Sequence, residues 1–386
     1  MKSFILKIKL KIYNKIPLLN EPNMKISLNN NFINKKVVIT GHTGFKGIWL
    51  SIWIAMLGGK VFGISLPKNN NPFFSYLKYK IFKKNIKLNI ENQKLLIRTI
   101  SSIQPDFIFH LAAQSNVLIS YSDPVKTWST NLLGTLNLLE CIKNLKKKCV
   151  IIIITSDKCY ENVEKIKGYK ETDRLGGSDP YSASKAGAEI LISSYYRSFF
   201  KKKKNIRIAT CRAGNVIGGG DANKNRIIPD CVKSWAVKKK PVLRSPNSTR
   251  PWQHVLEPIY GYIILSLKLM KDKKLNGQSF NFGPNNNKDV TVKDLVNKFA
   301  KYWKKVSWRM LKRHKPFHEA NLLKLNCSKA KNLIGWRSIL KISQVIKLTT
   351  DWYKLSINNK KHLLDLTKKQ ILFYNSILKR KNEKKV

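Results

Sequence analysis

The run Ile151-Ile152-Ile153-Ile154-Thr155 passes directly into Ser156-Asp157-Lys158: a hydroxyl, a carboxylate and an amine side by side. A carboxyl group can hand a proton to a departing hydroxyl if its surroundings keep it protonated near neutral pH. Lys158 can take up a proton if burial or nearby cations strip its charge. It can instead stay charged and stabilise a developing enolate. Both roles stay open at this level. A second group is Tyr181-x-x-x-Lys185. At i and i+4 of a helix the two side chains share a face. A phenol with a pKa of ~10 becomes a usable base when neighbouring cations favour the phenolate. The third group is Gly41-His42-Thr43-Gly44-Phe45-Lys46-Gly47. Glycines between a strand and a helix let the backbone approach a pyrophosphate, which the helix N-terminus then attracts.

These groups need elements to hold them. Residues 37–40 read as a buried strand, 48–57 as a helix closed by Gly58-Gly59, and 61–66 as the next strand. A helix over 95–103 stops at Pro105, and 107–109 starts another strand. Helices over 127–144 and 181–199 alternate with strands over 149–154 and 206–211. Nearly unbroken apolar strands alternating with helices predict an α/β fold. Its expected form is a Rossmann-type doubly wound parallel sheet with a smaller, partly discontinuous substrate-binding lobe. The expected division is a basic extension (1–31), a dinucleotide-binding domain (32–214, with later segments returning to it), a mainly substrate-binding lobe (215–378) and a charged tail (379–386).

The formal charge is +52 over 386 residues, but the lysines are spread along the chain rather than gathered with aromatics into a nucleic-acid motif. No apolar run is long enough to span a membrane. The six cysteines stand far apart with no C-x-x-C, which points to reduced thiols in the cytoplasm and not to a disulfide framework or a zinc site. His110 and His254 lack partners at metal-ligand spacing, so no metal is expected.

The stretches TGHTGFKG (40–47), QPDFIFHLAAQS (104–115), TSDKCYEN (155–162), GGSDPYSASKAGAE (176–189), RAGNVIGGGD (212–221) and RPWQHVLEP (250–258) occur in this order. Together they resemble the NAD-dependent epimerase/dehydratase family of the extended short-chain dehydrogenase/reductases, in the branch that dehydrates CDP-glucose. The resemblance implies NAD as cofactor, CDP-glucose as substrate, a 4-dehydro-6-deoxy sugar product for deoxysugar or O-antigen-type biosynthesis, and a homodimer or homotetramer. It implies that Tyr181 is the base at O4, that Ser156 orients the sugar, that Asp157 is the acid at O6, and that Lys158 stands in the position of the C5 base. Lys185 is implied to hold the nicotinamide ribose. Gly41 to Gly47, Asn89, Ile90, Leu111, Ala112 and Ala113 are implied to hold NAD, and Ser115, Asn215 and Arg250 the substrate. Arg212 is open between a substrate contact and a structural role.

The chain departs from the group's pattern at several points. No acid follows the second strand, where Ser65-Leu66-Pro67-Lys68 stands, and the adenine-binding D-I-x-D stretch reads Asn89-Ile90-Glu91-Asn92. Asn116, Leu118 and Ala222 replace residues usual near the substrate. Two alternatives therefore stay in view: another epimerase or dehydratase of the group, and a non-catalytic NAD-binding scaffold.

Overall fold

The computed structural model describes residues 31–67, 71–78, 81–284, 290–303, 306–311 and 322–383. Nearly all of the expected extension at 1–31 and Lys68 lie outside them. Seven strands form the central sheet: β1 (Lys36–Thr40), β2 (Lys60–Ser65), β3 (Phe82–Lys87), β4 (Phe107–His110), β5 (Cys149–Ile154), β6 (Ile206–Ala213) and β7 (Gln278–Phe282). All are parallel, in the order β7-β6-β5-β4-β1-β2-β3. The order reverses between β1 and β4, which opens a crevice at the carboxyl ends of those strands.

The isoleucine run is explained by two cores. Val150, Ile152 and Ile154 join the cluster on one face of the sheet, with Val37, Ile39 and Trp53. Ile151 and Ile153 join the cluster on the other face, with Val38, Ile100 and Leu139. A strand covered on both sides has no face left for polar residues, so alternation disappears from its sequence. Helix α1 (Phe45–Met56) covers the first face, and α2 (Gln93–Ile103), α3 (Gly134–Lys143) and α4 (Pro180–Tyr195) cover the second.

The helix expected over 127–144 is interrupted. Pro124–Trp128 is followed by a wide helical turn over Ser129–Leu133 and only then by α3. The wide turn directs the Ser129 and Thr130 hydroxyls onto Glu91 and the Asn131 amide onto Ser184.

Beyond β6 the chain builds a second lobe with α5 (Ile227–Ala236), two short pairings of Val216–Ile217 with Gln253–His254 and of Val242–Leu243 with Arg309–Met310, and α7 (Val292–Ala300). Between them α6 (Leu256–Lys271) returns to the first core. Two C-terminal helices, α8 (Ile342–Asn358) and α9 (Leu363–Glu383), follow. Buried Glu257 of α6 accepts hydrogen bonds from the Ile339 and Leu340 N–H groups and from the Tyr374 hydroxyl, which ties them to the sheet. On α8, the Trp352 ring packs on Gly219 and the Tyr353 hydroxyl donates to the Asp221 carbonyl at 2.7 Å. Helix α9 continues to Glu383, past Lys379 where the sequence suggests a tail.

Candidate active site

The glycine turn between β1 and α1 is built for close backbone approach. Gly41 has φ +70°, and a Cβ there would lie 2.8 Å from the Ala112 nitrogen. A Cβ on Gly47 would come within 2.2 Å of the Gly41 carbonyl oxygen. Helix α1 begins at this turn with no side-chain cap and no acidic residue in its first turn. Its first N–H groups and its dipole are thereby left for an anion. These features fit the pyrophosphate of a dinucleotide.

His42 behaves differently from its neighbours. Its ring is buried between Phe74 and Phe82, with Nε2 at 2.8 Å from Asn85 Oδ1 and Nδ1 at 3.0 Å from Ser65 Oγ. It lies under the loop rather than in the cleft. Gly63 makes room for it, because a Cβ there would sit 2.3 Å from the imidazole. Burial holds His42 below its ordinary pKa, partly offset by its hydrogen bonds. Ser65, where an acid is missing, accepts from the Thr43 N–H at 3.3 Å.

A cleft of about 440 Å³ runs from this turn across the ends of β4, β5 and β6. It brings together Gly41, Thr43, Gly44, Phe45, Lys46 and Gly47 with Asn89, Ile90, Leu111, Ala112, Ala113 and Ser115. Ser156, Asp157, Lys158, Tyr181, Lys185 and Asn215 line the same cleft. Arg250 lines an adjoining cavity of about 490 Å³ together with Trp252, Lys324 and Lys331. Its charge still reaches Asp157.

At the end of β5 the backbone turns through Asp157–Cys159, capped by Ser156, whose Oγ accepts from the Lys158 N–H at 3.2 Å and donates to Asp157 Oδ1 at 3.0 Å. Asp157 Oδ2 is buried without a hydrogen-bond partner, beside Gly214. Burial raises the pKa of Asp157, against the pull of Lys158, Ser156, Lys46 and Arg250. This is the direction an acid needs.

Tyr181 and Lys185 stand one turn apart on α4, which Asp179 caps through the Ser182 N–H and hydroxyl, with Pro180 in the first turn. Burial raises the Tyr181 pKa. A hydrogen bond with Ser156 and the Arg226 charge act against it. Lys185 is pulled down to about 8, first by burial and then by Lys46. Lys46 is also lowered to about 8, by burial, with the Asp157 charge opposing.

The sequence reading did not anticipate how deep Lys46 sits in the catalytic end, and it missed Arg226. Arg226 lines the cleft and donates to the Ser115 carbonyl at 2.7 Å. Its available signal was the arginine that opens the stretch RIIPD (226–230), immediately ahead of α5. Arg212 proves structural: it is buried on Glu189 at 2.8 Å and reaches the Tyr160 hydroxyl, also at 2.8 Å. His110 bonds Thr40, and His254 packs edge-on against Trp49; burial lowers both to about 3. Asn116 caps the short helix Val117–Ser122 and donates to the Lys224 carbonyl, so it bridges the two lobes, while Ala222 lines the cleft.

The sequence profile of a family described as GDP-mannose 4,6 dehydratase matches residues 38–349. The chain is 38% identical over 348 residues to CDP-glucose 4,6-dehydratase of Salmonella typhimurium, covering 89% of this chain and 96% of that protein. It is 28% identical to dTDP-D-glucose 4,6-dehydratase of Dictyostelium discoideum, covering 86% and 84%. The fold is shared with dTDP-glucose 4,6-dehydratase from Bacillus anthracis, solved in complex with NAD, at a TM-score of 0.69, 21% identity and coverage of 86% of this chain and 99% of that one.

Proposed function

Because the chain belongs to the GDP-mannose 4,6-dehydratase family, we propose that it dehydrates CDP-glucose to CDP-4-dehydro-6-deoxyglucose with NAD as a recycled cofactor. The observation that carries this reading is the pairing of Tyr181 with a buried, incompletely satisfied Asp157 across one cleft. An epimerase needs only the tyrosine, whereas loss of water from C5 and C6 needs an acid at O6 as well.

What NAD supplies when bound is reversible storage of one hydride. The glycine turn and the α1 N-terminus would hold its pyrophosphate, and Lys185 its nicotinamide ribose. Tyr181 takes the proton of the sugar 4-hydroxyl, with Ser156 orienting that hydroxyl. The resulting ketone acidifies the C5 proton. Lys158 stands at the position for its removal, as base or as the cation that stabilises the enolate. Asp157 protonates the departing 6-hydroxyl, which leaves as water. Arg250 and its cationic neighbours in the adjoining cavity suit the substrate's diphosphate.

The test is to mix purified protein with CDP-glucose, and in parallel with dTDP-glucose, UDP-glucose and GDP-mannose, then add alkali. The expected outcome is near-ultraviolet absorbance of a 4-keto-6-deoxy sugar and loss of one water by mass spectrometry, with CDP-glucose preferred. Turnover of another nucleotide sugar in its place overturns the substrate assignment. A change of configuration without water loss overturns the reaction.

Val125, Leu133 and Ile190 are 78%, 50% and 58% exposed on the packed helical segments 124–143 and 180–200. This apolar face supports a homodimer, to be checked by light scattering. No helix among the described residues is long and apolar enough to cross a membrane, and all six cysteines are free thiols, which suits the cytoplasm.

A further inference from the structure

Two walls of the cleft come from distant parts of the chain, and hydrogen bonds clasp them together. One wall is the loop after β4. The other is the segment 220–226, which leads into α5. Asn116 Nδ2 donates to the Lys224 carbonyl at 2.9 Å, and the Arg226 guanidinium donates to the Ser115 carbonyl at 2.7 Å. The β4 side of this clasp is braced. The Gln114 N–H donates to Asn131 Oδ1 at 2.8 Å, and its side-chain amide donates to the Asn116 carbonyl at 3.0 Å and the Thr127 hydroxyl at 2.8 Å.

The opposite side is built to swing. It is pinned at its start, where the Gly220 carbonyl accepts from the Asn71 amide at 3.2 Å and the Asp221 carbonyl from the Tyr353 hydroxyl. Gly220 has φ +86° and Asn225 φ +61°, so a left-handed residue stands near each end of the segment, where a hinge can absorb rotation. Residues 223–225 are exposed, and none of 220–226 belongs to a hydrophobic core cluster. A segment with few apolar contacts opens at little cost, so its hold on the facing wall comes from the clasp.

The clasp serves the dinucleotide rather than the sugar nucleotide. Asp221, Ala222, Asn223 and Arg226 line the cleft that contains the glycine turn and Tyr181, whereas none of 220–226 lines the adjoining cavity of Arg250. We propose that 222–226 is a strap, latched by the Asn116–Lys224 and Arg226–Ser115 bonds, and that its unlatching limits both entry and exit of the dinucleotide. Neither bond uses a ligand atom. The latch therefore opposes passage in both directions and leaves the affinity alone, since only a differential interaction with the ligand shifts that equilibrium. The proposal rests on the cofactor assignment above and is independent of the sugar.

The experiment is stopped-flow fluorescence of NADH with the full chain, without sugar. Association is followed on mixing nucleotide-free protein with NADH, and release on chasing the loaded protein with excess NAD⁺. Asn116→Ser keeps a side-chain oxygen to cap the helix Val117–Ser122 and loses the amide donor. Both rate constants are expected to rise about three- to tenfold, with Kd within about twofold of wild type. Asn225→Gly loosens the hinge without touching the latch and is expected to raise both rates together; it carries the same test if Asn116→Ser does not fold. Unchanged rates, or a changed Kd with an unchanged association rate, overturn the proposal. Failure of wild type to bind NADH overturns it together with the cofactor assignment. Failure to turn over CDP-glucose, with the expected rates intact, sinks the substrate reading alone.

Discussion

Two carboxylates near the end of β5 are equally buried, yet their pKa values are shifted in opposite directions. Asp157 and Glu189 are each 3% exposed. Glu189 receives the Arg212 guanidinium at 2.8 and 3.0 Å, the Thr155 and Thr210 hydroxyls at 2.5 and 2.9 Å and the Ser279 hydroxyl at 3.2 Å. Burial pushes it up, but Arg212 and the hydroxyls outweigh burial and hold it below the usual carboxylate range. Asp157 has one hydroxyl on one oxygen and nothing on the other, so burial wins and its pKa rises. Burial alone therefore does not determine what a carboxyl group does. The donors around it decide whether it is a fixed anion holding the floor together or a proton source.

Asp157→Asn should give the largest separation between the two. Turnover of CDP-glucose should fall by about 10²- to 10⁴-fold. Urea unfolding should be unchanged or shifted to higher denaturant, because a poorly solvated acid has been removed. A variant that turns over normally would mean that the proton comes from elsewhere.

Arg212→Met acts on the other carboxylate and should cost about 3–5 kcal/mol in the same unfolding measurement, because it strands a buried charge. Near-wild-type stability would contradict the account of the floor. Thr155→Val removes one donor from Glu189 and should cost about 1–3 kcal/mol. It should leave the pH dependence of turnover unmoved.

The smallest effect is the most specific. Asp157 has a folded pKa raised above 3.8, so its contribution to stability is complete below that pH and is lost as pH rises through the raised value. Glu189 has a folded pKa below 4.5, so its contribution is present above 4.5 and is lost as pH falls through the lowered value. Thermal unfolding between acid and neutral pH should therefore steepen in one direction for Asp157→Asn and in the other for Glu189→Gln, relative to wild type. Slopes of the same sign would dissolve the distinction.

Much of this arrangement was legible from residue order. The β5 boundaries, the glycine turn, the Tyr181–Lys185 pair and the α1 helix follow from local rules that tertiary contacts reinforce. Two strands were not visible. β3, FKKNIK, is an edge strand with most residues exposed, so it lacks the apolar run that marks its neighbours. β7, QSFNF, is short, and its Asn281 amide donates to the Tyr169 and Asn326 carbonyls, neither of them near in sequence. The break in the helix at Ser129 left no trace either, because the Ser129 hydroxyl meets its partner Glu91 38 residues away in the chain. The role of Arg212 and the placement of Arg226 were hidden for the same reason. A charged residue's task depends on what folding sets opposite it.

The contact of α8 with the loop after β6 bears on synthesis. Gly219 could not carry a methyl group, since the Trp352 indole already occupies that space at 1.9 Å, and the Tyr353–Asp221 hydrogen bond joins residues 132 apart. The rim of the catalytic mouth is thus buttressed by a segment that leaves the ribosome 132 residues after it. A nascent chain arrested before Trp352 should have its sheet but a slack opening, and dinucleotide capture should follow the emergence of α8, measurable on stalled chains of increasing length.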